Sequence, residues 1–552
     1  MTKKTIDKSK QSIRVVFSRI LMQPELLTNS VIYIAPNPDR WNDFGFRTKI
    51  DIHIHLEGEG EFYTEGFIGF LTNSSNESNG VYKLNQLLEN TDAYVLPDLG
   101  GTKFFTMLPN MESYRKLSRT FGIETAVTVL KSINDLVAIG EFKPMTNWLG
   151  LACKSEVFLK SFMRTTESFF AFNNAGSILR GLESEEFRKL SNSLAINFQL
   201  PGKLNPHEML FRFNHYAELP KRIAVIIGEN GVGKSQTLGR IVSSAINGSK
   251  SLIDADTQER PMLNRILAFA PTNEAGSVFP SDRRRRSKVW YKRFALNRSG
   301  PSRKNKGNVS DLIIQTSRAD EYLGGLSRWE LFLDSLKTIN GWHEISLSLI
   351  DSEKTYIKLG DLSFFGEENA LITYSSINIH KDPVRVISGV GYPLSSGEIS
   401  FLRFAAQASL YVENGSLLLL DEPETHLHPS FISNFIALLD RLLELSGSAA
   451  IIATHSAYVV REVFPEQVTV LRVDKDGFIE TPKTALQTFG ADVGAISYFV
   501  FNEDEPSRLA LGVKKRLLEV YDNWDDLYSE YKNKLSLEIL SSLRQSLEAE
   551  QN

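Results

Sequence analysis

The chain has 552 residues, 42% of them hydrophobic and 23% charged, with a formal net charge of −4 and one cysteine. That length exceeds one ordinary core, so two to four globular domains are expected. No apolar run approaches the roughly 20 residues needed to cross a bilayer, and the basic start MTKKTIDKSKQ lacks the apolar centre of a secretory signal, so the expected location is cytoplasmic. Cys153, standing alone, excludes an internal disulfide and any multi-cysteine metal site, and is read as a buried small hydrophobe.

Residues 1–190 carry no motif for chemistry but read as a folded α+β region. In KIDIHIHLEGE, Ile50, Ile52, Ile54 and Leu56 alternate with Asp51, His53, His55 and Glu57, the period of a half-buried strand. His53 and His55 form an H-x-H, which can pair on a metal in hydrolases; on this strand they are read as its polar face. Helices are predicted over 112–136 and 156–172, with Asn/Ser/Gly-rich breaks such as 72–80 between elements.

From about Leu194 the texture changes to strands, ending in the apolar RIAVIIG that runs into GENGVGKS at 228–235. QTLGRIVSSAI follows, with Leu238, Ile241, Val242, Ala245 and Ile246 on one helical face. Strand, glycine loop and helix are the context a phosphate-binding loop requires. Gly228, Gly231 and Gly233 let backbone N–H groups turn inward around a β-phosphate, and Glu229, Asn230, Val232 and Gln236 complete the candidate nucleotide lining. Lys234 would reach the β- and γ-phosphates, and Ser235 would ligate magnesium.

Further on, LLLLDEP sets a carboxylate pair where a buried strand ends. Asp421 is the candidate for the metal and Glu422 for polarising the attacking water. Adjacent acids are common in ordinary exposed turns; downstream of a phosphate loop the pair becomes specific. The succession LLLLD, FISNFIALLDRLLEL, AAIIATH has the β-α-β rhythm of a parallel sheet covered on both faces.

LSSGE at 394–398 opens the helix ISFLRFAAQASLYV ahead of the acids. In isolation it reads as an N-capped helix with Glu398 in the first turn. Between a phosphate loop and an acid pair, it resembles the LSGGQ signature of ABC-type ATPases. The resemblance implies a head-to-tail dimer in which Ser396 and Gly397, with Ser395 beside them, contact the γ-phosphate held by the other copy. It also implies that His455, at the end of IIATH and 33 residues after Glu422, senses that phosphate. The glutamine loop of the family has no clear counterpart. ILAFA runs into PTNEAGS, where Thr272 or Asn273 stands near the expected place, and Gln315 lies well downstream, so no glutamine is assigned to magnesium.

PETHLHP, with Glu424, His426 and His428, differs from the loop of transporter ATPases. It resembles that of stand-alone ABC-type ATPases acting with nucleases, the overcoming-lysogenization-defect group among them, and TFGADVGAIS at 488–497 resembles a segment near the end of such domains. Since 46 residues follow Pro506, the Toprim nuclease of many members is expected to be absent, and the chain is most similar to the PtuA-type ATPases of Septu and retron-associated antiphage defence. That resemblance implies ATP and Mg²⁺ as cofactors, a homodimer, and a partner HNH nuclease; retron versions add a reverse transcriptase with its RNA–DNA product. A RecF-like DNA-repair clamp and a low-turnover nucleotide-dependent scaffold stand as alternatives, and a transporter subunit fits least.

Between Asp282 and Lys306, eleven Lys or Arg stand against one Asp. Arg283, Arg284, Arg285, Arg286, Lys288, Lys292 and Arg293 are candidates for phosphate contact, with Trp290, Tyr291 and Phe294 as stacking aromatics. The alternative is a solvated loop followed by a strand, VWYKRFAL, whose aromatics are core. The expected fold is therefore α/β: an ABC-type P-loop ATPase head over 191–506, its sheet mixed or parallel and flanked by helices, with a variable lobe at about 250–390. An N-terminal α+β region precedes it, and a helical segment over 507–552 follows. In that segment Leu517, Leu518, Tyr521, Trp524, Leu527, Tyr528 and Tyr531 form a stripe read as packing surface for the domain or a partner.

Overall fold

The computed structural model describes residues 13–20, 30–39, 45–71, 79–89, 95–96, 99, 101–180, 191–215, 218–219, 221–271, 278–281, 288–296, 308–319, 321–323, 325–350, 355–363, 373–374, 376–425, 427–474, 476–482, 486–501 and 508–550.

Alternating apolar residues build the N-terminal sheet. Its strands are β1 (Arg14–Ser18), β2 (Val31–Pro36), β3 (Lys49–Leu56), β4 (Gly60–Phe70), β5 (Val95–Leu96) and β6 (Phe104–Met107), in the order β5-β1-β2-β3-β4-β6. Ile50, Ile52, Ile54 and Leu56 share one core with Leu117, Val129, Leu130 and Phe162 from the helices that follow. Where the sequence predicts one helix over 112–136, the structure has three: Met111–Phe121, Ile123–Ser132 and Leu136–Phe142. Gly122 at φ 77° and Asn134 at φ 53° turn the chain between them, and neither angle is helical. Cys153 is half-buried rather than buried, at the edge of this core.

The polar face of β3 is also less simple than its alternation suggests. β3 is flanked by β2 and β4, which set Tyr33 and Tyr63 opposite His53. The His53 ring lies 3.9 Å from that of Tyr63 at an interplanar angle of 9°, and is fully buried. His55 and Asp51 are half-buried, as a polar face requires.

The remaining strands are β7 (Ser193–Phe198), β8 (His207–Arg212), β9 (Ile223–Gly228), β10 (Leu252–Asp254), β11 (Arg265–Ala270), β12 (Trp290–Ala295), β13 (Tyr322–Leu323), β14 (Leu326–Ser327), β15 (Ile345–Ser348), β16 (Tyr356–Lys358), β17 (Val384–Ile387), β18 (Val390–Pro393), β19 (Leu417–Asp421), β20 (Ala449–Thr454), β21 (Val468–Val473) and β22 (Ile479–Glu480). Seven of them form the central sheet, in the order β12-β11-β19-β20-β9-β21-β22, parallel except for the antiparallel β21–β22 pair. Both faces are covered, as continuous apolar strands demand. On one face Val225, Ile227, Leu418, Leu420 and Ile452 pack with Phe404, Phe435 and Leu439 from helices Ser396–Tyr411 and Pro429–Ser446. On the other, Ala224, Ile226, Leu417, Leu419 and Ile451 pack with Leu238, Ile241 and Val242 from helix Lys234–Asn247, and with β7, β8 and β10, which form their own small sheet. An antiparallel sheet, β16-β15-β17-β18, lies in the stretch before the 396–411 helix. The fold is thus α/β, with a P-loop-type parallel sheet between helical layers.

The apolar stripe of the C-terminal segment closes on itself. Leu517 and Leu527 join Leu540, Leu543 and Leu547 in a separate small core formed by helices Arg508–Val520, Trp524–Tyr531 and Leu537–Glu550.

A buried ionic hub joins the N-terminal region to the central domain. Glu413 lies between helix Ser396–Tyr411 and β19, and its carboxylate accepts from Arg115 Nη1 of helix Met111–Phe121 at 3.0 Å and from Arg328 Nη2. All three side chains are buried.

Candidate functional site

The strand order brings the site together. β19, β20 and β9 are neighbours running in the same direction, so the residues that leave their carboxyl ends share one rim. From β9 comes the glycine loop, from β19 the acid pair, and from β20 His455.

The loop is shaped by close approach. A Cβ on Gly228 would stand 2.1 Å from Leu471 O in β21, and Gly231 and Gly233 have φ of 80° and 102°. Gly233 is the N-cap of helix Lys234–Asn247 and adopts the left-handed conformation. Buried His207 in β8 braces the turn from below: its Nε2–H donates to Val232 O at 3.2 Å, and its ring stacks on Phe198. No sequence pattern marked His207 for this role. Glu229, Asn230, Gly231 and Gln236 are exposed, Val232 is buried and Ser235 is half-buried.

The Lys234 ammonium donates to Gly228 O at 2.8 Å and Glu229 O at 2.9 Å. Burial lowers its pKa, opposed by the charges of Glu422, Asp421 and Glu424. Asp421, at the end of β19, is buried, and burial pushes its pKa up to about 6, against a hydrogen bond from Ser235 and with the charges of Glu422 and Glu424 adding to the rise. Its Oδ1 is buried without a hydrogen-bond partner among the described residues. An unpartnered carboxylate oxygen beside a serine hydroxyl is a hard, all-oxygen donor set of the kind Mg²⁺ takes, and a divalent cation would keep Asp421 ionised. Ser235 and Asp421 therefore fit the metal, and Lys234 with the loop N–H groups fits the phosphates.

Glu422 sits where the chain leaves the sheet. Its φ is 43°, which is costly for a residue with a side chain, and its N–H is tied to Ala453 O at 2.8 Å. The carboxylate is half-exposed on the rim, with Oε1 3.5 Å from His455 Nδ1. Glu424, two residues on, is turned inward and buried. Its Oε1 accepts from the Thr454 hydroxyl and from the His455 backbone N–H at 3.3 Å, and lies 3.7 Å from His455 Nδ1. Of its loop companions, His428 is exposed and His426 lies outside the described residues.

The segment at 394–398 stands differently. Ser395 is the N-cap of helix Ser396–Tyr411 in a full capping box with Glu398, whose carboxylate also accepts from Arg385 Nη2 at 2.7 Å. Ser395 and Ser396 are exposed and Gly397 is buried. The hydrogen bonds of Ser395 stay within the first turn of its own helix, so the tip is presented outward. Gln315 lies on helix Val309–Ser317, hydrogen-bonded to Asp311 at 2.9 Å, and Thr272 and Asn273 lie outside the described residues.

Of the basic stretch, Arg283, Arg284, Arg285 and Arg286 lie outside the described residues. The aromatics belong to the fold: Tyr291 and Phe294 are buried on β12, and Trp290 stacks on Tyr411, so they are not free to stack on bases. Lys292 Nζ lies 3.4 Å from the Tyr411 ring centroid, and Arg293 Nη1 donates to Phe279 O at 3.3 Å. Lys288 lines a cavity of about 340 Å³ beside the far end of the Lys234–Asn247 helix.

Residues 223–461 match the family model described as AAA domain, putative AbiEii toxin, Type IV TA system. Protein ea59 of Escherichia phage lambda is 23% identical over 492 residues, covering 84% of this chain and 85% of that protein. That alignment is longer than the stretch 223–461 matched by the family model. Among solved structures, a putative ABC transporter ATP-binding protein from Pyrococcus furiosus is 14% identical, covering 48% of this chain and 91% of its own, with a TM-score of 0.23. UvrA2 from Deinococcus radiodurans is 16% identical, covering 58% of this chain and 42% of its own, with a TM-score of 0.29. No helix among the described residues is long and apolar enough to cross a membrane.

Proposed function

We propose that this protein, whose residues 223–461 match an AAA domain model, binds and hydrolyses ATP between two copies arranged head to tail, and that the assembly regulates a partner nuclease in antiphage defence. The observation that carries the ATPase reading is the meeting of Lys234, Ser235, Asp421, Glu422 and His455 on one rim, the first two from the opening turn of the helix after β9 and the others from the carboxyl ends of β19 and β20 or just beyond them.

The roles follow from position. The loop N–H groups and Lys234 hold the phosphates and offset their charge, helped by the positive end of the Lys234–Asn247 helix. Magnesium held by Ser235 and Asp421 would neutralise charge between the β- and γ-phosphates. Glu422 polarises the water for in-line attack, being the acid-pair member left on the exposed rim. His455 faces the same rim and reads the γ-phosphate. Ser396 and Gly397, at an outward-facing helix start, complete the site of the other copy; an exposed helix N-terminus favours an anion.

The defence setting rests on two supports, the PETHLHP resemblance to nuclease-associated ATPases and the family description as a putative toxin of a Type IV TA system. Isolation of the full-length chain from its native host in ATP and Mg²⁺ tests it. A nuclease subunit should co-purify, and should be lost with Lys234→Ala. Recovery of the chain alone in both cases contradicts the nuclease partnership, and direct ATP-dependent DNA binding by that lone chain would favour the RecF-like clamp.

A further inference from the structure

We propose that Glu424 is the positioning residue for His455, a role that rests on the ATPase reading above. Its carboxylate fixes which imidazole nitrogen carries the proton, and keeps the histidine from locking onto Glu422.

Three contacts support this. Glu424 Oε1 binds both sides of the Thr454–His455 peptide junction, through the Thr454 hydroxyl and the His455 backbone N–H. The Thr454 hydroxyl in turn accepts from the Ser456 N–H at 2.8 Å, so the turn that carries the ring is tied to Glu424 from β20 to the next helix. Third, His455 Nδ1 lies between two carboxylate oxygens, Glu422 Oε1 at 3.5 Å and Glu424 Oε1 at 3.7 Å.

Two acceptors converging on Nδ1 favour the tautomer with the proton there, which leaves Nε2, on the other side of the ring, as the unprotonated nitrogen. The carboxylates differ in freedom. Glu422 is half-exposed and has a water to polarise; Glu424 is buried and held by two donors. With Glu424 as the fixed partner, the imidazole keeps its orientation while Glu422 serves the water. The other Glu424 oxygen, Oε2, is buried without a hydrogen-bond partner among the described residues. A buried carboxylate with one oxygen unsatisfied is costly and is poorly explained as a mere loop fastener. Burial raises its pKa, opposed by the Thr454 hydroxyl and the His455 charge.

The test uses the full-length chain. Glu424→Gln keeps an oxygen for Thr454 and the His455 N–H but removes the charge. It should lower kcat about ten- to a hundredfold, as loss of the group behind a functional histidine does, with KM changed much less. Adding His455→Ala should cost no more than His455→Ala alone, because the two act as a unit. Selective ¹⁵N-histidine NMR of the wild type should show His455 protonated on Nδ1, shifting toward the Nε2–H tautomer in Glu424→Gln. This spectrum can be read on the wild type even if a variant folds poorly, and a wild-type Nδ1 without a proton would overturn the proposal. So would an unchanged kcat in Glu424→Gln, or penalties that multiply in the double variant. A wild-type chain that fails to turn over ATP overturns the ATPase reading along with this one; turnover with multiplying penalties overturns this one alone.

Discussion

Glu422→Gln should cut ATP turnover by about 10²–10⁴-fold, the range supplied by a positioned general base, while nucleotide remains bound. The glutamine is nearly isosteric, so the backbone turn at φ 43° and the N–H bond to Ala453 O have no reason to change. What changes is charge. Glu422 is the leading Coulombic partner of Lys234, ahead of Asp421 and Glu424, and removing it also relieves the acidic rim that repels a polyphosphate. Binding should therefore hold or tighten as hydrolysis fails, the pattern of an interaction made only in the transition state. Single-turnover hydrolysis beside equilibrium binding of ATP would check this. Equal losses in binding and turnover would mean that Glu422 is structural; no loss in turnover would remove it from the chemistry.

The second large effect is expected far from the nucleotide. Glu413→Ala should destabilise the fold by about 3–5 kcal/mol, because it leaves Arg115 and Arg328 buried without their shared carboxylate. Burial alone would raise the pKa of Glu413; the charges of Arg115, Arg328 and Arg265 outweigh it and hold the carboxyl at about 2. The unfolded value is about 4.3, so the folded pKa is the depressed one. Its contribution is accordingly complete above about pH 4.3 and is lost as pH falls toward 2, amounting to about 3 kcal/mol for a depression of this size. Denaturation midpoints should show a wide gap between wild type and variant at pH 7 and a narrow one near pH 2. A gap that stays constant across this range would show that packing rather than charge is lost. Since Glu413 connects helix Met111–Phe121 to helix Ser396–Tyr411 and β19, the same variant should loosen the N-terminal region against the central domain.

What the sequence made legible and what it hid divide along physical lines. The glycine loop was readable because backbone approach at Gly228 and positive φ at Gly231 and Gly233 leave few residue choices. The double-faced sheet was readable because Leu417 to Leu420 is apolar on both sides of the pleat. Long-range pairing was not. Glu413 and its arginines are scattered over 115, 328 and 413, and charged residues are ordinarily solvated, so nothing in composition marks them as a buried hub. His53 gave the alternation of a polar face, but Tyr33 and Tyr63 on the adjoining strands bury it. At 290–294 aromatics amid positive charge leave base stacking and a core strand both open in the sequence, and the pairing of β12 with β11 at the sheet edge decides for the strand. Glu424 stood in a recognisable loop, yet its link to His455 crosses between strands and only the fold displays it.

Sharing of each ATP site by two copies is tested most directly by mixing two defective chains. Lys234→Ala removes the phosphate grip. Ser396→Arg blocks the outward helix tip while leaving the Ser395–Glu398 capping box intact, so the helix itself should persist. In a head-to-tail dimer each defect alone disables both sites, whereas a mixed dimer contains one site with neither defect. Each variant alone should therefore be inactive, and an equal mixture that exchanges freely should recover roughly a quarter of wild-type turnover. A mixture as inactive as its components, or a Ser396→Arg chain that hydrolyses ATP normally by itself, would contradict the shared site.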